Sequence, residues 1–131
     1  MLFQFDNFTL DTGRRELWKA ASEVSVEPQV FDLLEFLIRR RDQVVSRDDL
    51  IEHIWKGRVV SESAMASRIN AARTAIGDNG SDQRLIKTIA RKGIRFVGEV
   101  REDIRSAGPA LQKTERQVIT FVRAADGVNL A

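Results

Sequence analysis

Ser63, Ser67, Asn70 and Thr74 recur at spacings of four, three and four. On a helix that spacing puts them on one face, with Ala71 beside them. The opposite face carries Met65, Ile69, Ala72 and Ile76, an apolar stripe at helical period. A helix over about 61–76 is therefore expected, dry on one side and lined on the other by short polar side chains. Arg68 and Arg73 fall on the two flanks of that polar face. A helix of a small domain usually shows long Glu and Lys side chains to solvent. Short ones let another surface come close. A DNA major groove fits this pattern: hydroxyls and an amide reach base edges and phosphates, while the arginines reach the two backbones. Packing against another part of the protein through the small residues is the competing reading.

Downstream, Leu85–Ile89 and Ile94–Val97 read as two strands joined at Arg91-Lys92-Gly93. The tip is cationic, with Arg95 just behind it and Thr88 on the incoming strand. Such a tip beside a groove-sized helix can reach a phosphate or a minor groove. Charge supports the pairing of helix and hairpin. The 131-residue chain has a net charge of only +2. Residues 54–97, however, hold nine Lys and Arg against three Asp and Glu, whereas residues 1–53 hold seven against eleven. A basic second half on a nearly neutral chain is a possible nucleic-acid footprint.

The elements that must position this pair come earlier. Residues 2–26 read as short antiparallel strands, turning at Asp6-Asn7 and punctuated by Gly13. Pro28 opens a first helix whose apolar residues are Val30, Phe31, Leu34, Leu37 and Ile38, and Arg39-Arg40-Arg41 complements its C-terminal dipole. Val44-Val45 is extended. Ser46-Arg47-Asp48-Asp49 is a near capping box opening a second helix that runs to about Lys56, with His53 on its outer side. Residues 101–117, broken at Gly108-Pro109, read as a linker, and 118–131 as a strand and the start of a hairpin. The expected fold is α+β: a winged helix-turn-helix over residues 1–100 with an N-terminal four-stranded antiparallel sheet, three helices and a C-terminal β-hairpin wing.

Several motifs in order carry a family resemblance. Glu27-Pro28-Gln29-Val30-Phe31-Asp32-Leu33-Leu34-Glu35-Phe36-Leu37 resembles the first helix of the OmpR/PhoB-type winged-helix effector domain. Val44 to Ile51 with Trp55 resembles its second helix, and Leu85-Ile86-Lys87-Thr88-Ile89 with Gly93-Ile94-Arg95-Phe96 its wing. The resemblance implies a sequence-specific regulator of transcription that binds double-stranded DNA, with the third helix in the major groove and the wing on flanking backbone or minor groove. It puts Ser63, Ser67, Arg68, Asn70, Ala71, Arg73 and Thr74 on the DNA side and Thr88 at a backbone contact, with Arg91, Lys92 and Arg95 on the wing. Ala71 and Ala90 stand where some members place arginines, so base specificity does not transfer. The resemblance further implies RNA polymerase as a partner of the 57–62 loop, and two copies on repeated half-sites.

Other classes find less support. The chain has no cysteine and one histidine, which leaves no thiolate nucleophile and no His-rich metal site. No nucleophile elbow, P-loop or dinucleotide fingerprint occurs, so neither an enzyme nor a cofactor is expected. No apolar run suits a membrane span and no secretory signal opens the chain, making a cytoplasmic location the expectation. A winged-helix protein-interaction module without DNA binding is the alternative. Residues 117–131 are similar to the opening strands of an α/β-hydrolase domain, which raises a fusion as a further one.

Overall fold

The computed structural model describes residues 1–103. The chain runs β1 (Leu2–Phe5), β2 (Phe8–Asp11), β3 (Glu16–Lys19), β4 (Ser22–Val24), α1 (Pro28–Arg39), α2 (Arg47–His53), α3 (Glu62–Ala75), β5 (Ile86–Ile89), β6 (Gly93–Phe96) and β7 (Arg101–Asp103). The α+β winged-helix expectation holds, with one strand added. β1 to β4 form an antiparallel meander, and β7 pairs with the free edge of β1, giving the order β4-β3-β2-β1-β7.

β7 corrects the expected linker, whose first three residues belong to the sheet. Arg101, Glu102 and Asp103 are poor strand formers, so neither period nor propensity marks them. They pair because β1 offers an open edge, in register Leu2↔Asp103, Phe3↔Glu102 and Gln4↔Arg101. The Arg41 guanidinium also holds the Glu102 carboxylate at 2.6 Å. The remainder of the linker and the 118–131 tail, with its likeness to a hydrolase, lie outside the described residues.

Local sequence explains the helices. Pro28 occupies the first turn of α1, where a missing N–H costs nothing. Val30, Phe31, Leu33, Leu34, Leu37 and Ile38 of this helix are buried. The arginine run closes it as expected: Arg41 donates to the Ile38 carbonyl at 2.8 Å. α2 opens on a complete capping box. The Ser46 hydroxyl accepts from the Asp49 amide, and the Asp49 carboxylate accepts from the Ser46 amide. It ends about three residues before the expected Lys56, because the Gly57 amide turns back to the Ile51 carbonyl at 2.9 Å. His53 is exposed, as expected, and stacks on Phe36 with ring centroids 4.8 Å apart.

The core joins the sheet to the wing. Phe5 stacks with Phe8 and meets Phe96 of β6 edge-on at 5.2 Å. Val45 adds a two-bond bridge to Ile94: its amide donates to the Ile94 carbonyl, and its carbonyl accepts from the Ile94 amide. Gly93 makes this approach possible. Its φ is +147°, and a Cβ there would lie 1.9 Å from the Val45 carbonyl oxygen. Gly93→Ala is therefore expected to cost about 3 kcal/mol or more. Urea denaturation of the variant checks this, and a midpoint matching wild type would refute it.

Candidate nucleic-acid interface

α3 is positioned by its caps and its stripe. The Ser61 hydroxyl accepts from the Ala64 amide at 3.1 Å. Met65, Ala72 and Ile76 are buried and Ile69 is half-buried, as the stripe predicts. The outward face carries Ser63, Ser67, Asn70 and Thr74, all exposed, with Ala71 half-buried.

The two flanking arginines are not the free cations that the wheel suggests. Arg68 is half-buried against the start of α1. Its Nε donates to Gln29 Oε1 at 2.9 Å and its Nη1 lies 3.5 Å from Glu27. Arg73 is only 5% exposed. Its Nε donates to the Ile86 carbonyl and its Nη2 to Thr88 Oγ1, both at 3.0 Å. The placement of Arg73 on the outer face is thus corrected: two acceptors on β5 draw it inward. Burial pulls its guanidinium below the ordinary arginine value, and the nearby Asp78 carboxylate opposes that shift.

Asp78, 6% exposed, is the residue that sequence reasoning missed. It follows Gly77, which ends α3 at φ +73°. Its carboxylate accepts from the amides of Arg84, Leu85 and Ile86 at 2.8, 2.9 and 3.0 Å. Desolvation is the largest single influence and pushes this carboxyl up. The surrounding backbone amides together outweigh it and hold the group below the usual carboxylate range. Asp78 thereby fixes where the wing begins. The available signal was an acid between a helix-stopping glycine and a strand, a pattern shared with ordinary turns.

On the hairpin, Thr88 is exposed and faces α3 through its bond to Arg73. Lys87 and Arg95 are register partners, one position out of step with Thr88 and Ile94. They project from the opposite side of the ribbon. Arg95 donates to the Arg41 carbonyl at 2.9 Å, so it is anchored at the end of α1 rather than gathered with the tip. Arg91 (φ +65°) and Lys92 form the turn and are exposed. Neither is committed to a carboxylate among the described residues. A cleft of about 320 Å³ lies between α3 and the wing, lined in part by Arg47, Met65, Ile69, Thr88, Arg91 and Lys92. Arg47 is paired with Glu62 at 2.7 Å. Among the described residues, no helix is long and apolar enough to cross a membrane.

The segment that carries this helix and its basic two-stranded wing matches a known family. Residues 21–96 fit the family described as "Transcriptional regulatory protein, C terminal". The chain belongs to this family. It is 30% identical over 76 residues to the transcriptional activator CadC of Escherichia coli K12, a match covering 57% of this chain and 15% of CadC. The chain spans less than half the length of the curated relatives it matches, from 15% of CadC to 42% of the Klebsiella pneumoniae PhoB. The response regulator DrrB of Thermotoga maritima, an OmpR/PhoB homologue, superposes with a TM-score of 0.67 at 29% identity, over 74% of this chain and 44% of DrrB. The DNA-binding domain of Klebsiella pneumoniae RstA, solved with the RstA box, shares the fold at 24% identity. Its TM-score is 0.66, over 73% of this chain and 96% of that one. This member of the family is thus a winged-helix domain of the OmpR/PhoB type.

Proposed function

We propose that this chain binds duplex DNA sequence-specifically as the DNA-binding part of a transcription regulator. In this reading α3 lies in the major groove and the β5–β6 wing on the flanking backbone or minor groove. The observation that carries it is the outward face of α3, where Ser63, Ser67, Asn70 and Thr74 stand exposed beside a wing tip whose two cations have no acidic partner among the described residues. Hydroxyls and one amide suit base edges and phosphates, and the free cations suit phosphates. That the RstA DNA-binding domain, which shares this fold, was solved in complex with the RstA box supports DNA binding as the role of the fold. With Arg68 and Arg73 engaged inside the protein, base reading falls to the uncharged side chains and affinity to the wing.

Asn70 is the residue best suited to a bidentate base contact. Asn70→Ala is expected to cost about 1–3 kcal/mol at one base position and little elsewhere. Competition gel shifts with single-base variants of the bound site measure this. If wild-type chain retains no duplex at low salt, the reading is wrong.

Two finer elements belong to the same proposal. The 57–62 loop contacts RNA polymerase, an assignment supported by Val59, which is 101% exposed at its centre. Two copies act together on repeated half-sites, since one module of this size covers a small DNA area. A cytoplasmic location follows from the same reading.

A further inference from the structure

The geometry points to Arg73 as a positioning residue that makes the Thr88 hydroxyl an outward hydrogen-bond donor to a DNA phosphate oxygen. The inference rests on the duplex-DNA reading above. A guanidinium offers only donors, whereas a hydroxyl has one donor and two acceptor lone pairs. Arg73 Nη2 donates to Thr88 Oγ1 at 3.0 Å, so the threonine proton cannot point toward Arg73. The second anchor of the guanidinium, from Nε to the Ile86 carbonyl, prevents it from swinging away. The Thr88 backbone amide is also taken, donating to Gln83 Oε1 at 2.8 Å. The hydroxyl proton is therefore the polar hydrogen that Thr88 has left to offer, on an exposed residue beside α3. A phosphate oxygen, which only accepts, is its matching partner. Donation from a charged group also strengthens the outward bond, because chained hydrogen bonds polarise one another. Arg73 thus serves DNA without touching it.

The test uses the full chain and the duplex it selects from a randomised library, with one phosphate at a time replaced by a neutral methylphosphonate. Wild type should lose about tenfold in affinity at one phosphate near the wing. Thr88→Val keeps the shape and removes the hydroxyl. It should weaken binding to the unmodified duplex by a similar factor and show no further loss at that phosphate. Thr88→Ser should restore the wild-type profile. Arg73→Lys keeps the charge but cannot fork to both acceptors. It should lower the contribution of the same phosphate, leave base preference unchanged, and add nothing there when combined with Thr88→Val. If Thr88→Val retains the wild-type phosphate profile, the inference is overturned while the DNA reading stands. The same holds if Arg73→Lys acts equally at all phosphates. If wild type binds no duplex, the functional reading fails and this inference with it. Thr88 is exposed, so its variants decide the hydroxyl contact even if Arg73→Lys fails to fold; the Arg73 role is then read from Arg73→Gln, whose shorter amide cannot span both acceptors and should lower the contribution of the same phosphate.

Discussion

Replacing Arg91 and Lys92 together with alanine is expected to weaken duplex binding about thirtyfold at 0.15 M salt and to flatten the log–log salt slope by about 1.8. The magnitude follows from counterion release. Each neutralised phosphate contributes about −0.9 to the slope, and at that ionic strength each such contact is worth about five- to sixfold relative to 1 M salt. The choice of these two residues rests on the proposed docking and on which cations near α3 are already engaged. Arg68 is held by Gln29 and Glu27, Arg73 by β5, Arg95 by Arg41 and Arg47 by Glu62. The wing tip therefore carries much of the mobile positive charge near α3. Because these contacts are to backbone, the loss should be nearly uniform across sequences. Affinity measured by fluorescence anisotropy between 50 and 300 mM salt would decide it. An unchanged slope would place the phosphate contacts elsewhere.

The second large effect concerns stability. Asp78→Ala is expected to destabilise the domain by about 3–5 kcal/mol, because three backbone amides, two of them buried, lose their acceptor and Arg73 loses its nearby countercharge. For a domain of this size that corresponds to a fall in Tm of roughly 15 °C or more. Asp78→Asn keeps the shape but not the charge and should fall between the two. The pH dependence follows from the depressed carboxyl. In the unfolded chain Asp78 titrates near pH 4, and in the folded protein lower. Its contribution is thus complete above the unfolded value and is lost as pH falls through the folded one. Urea melts from pH 7 down to pH 2.5 should show wild type losing this increment below about pH 4. Asp78→Asn should lack that part of the acid dependence. Parallel acid profiles for the two proteins would exclude the role.

These residues also mark what the sequence could and could not reveal. The capping box at Ser46, the Pro28 start, the α3 stripe and the basic hairpin tip are local patterns. Their physics lies within one or two turns of chain, and each forms as read. β7 is nonlocal: its charged residues become a strand because β1 has an open edge about a hundred residues earlier. Arg73 shows the limit of a helical wheel. At 100° per residue it lies about 70° from the centre of the apolar stripe, and Arg68 lies the same distance on the other side. An angle of that size leaves a long side chain free to turn either way. The choice was made by the Ile86 carbonyl and the Thr88 hydroxyl, which approach only after the chain has reversed through Gly77. Asp78 was hidden for a similar reason, since its three partners are amides and every residue except proline has one.

Pairing of Leu2 with Asp103 has a mechanical corollary. Tension arriving along the chain from beyond residue 103 meets the β1–β7 ladder before it meets the hairpin. The ladder and the Arg41–Glu102 clasp take up that load, so the β5–β6 ribbon keeps its seat on α3.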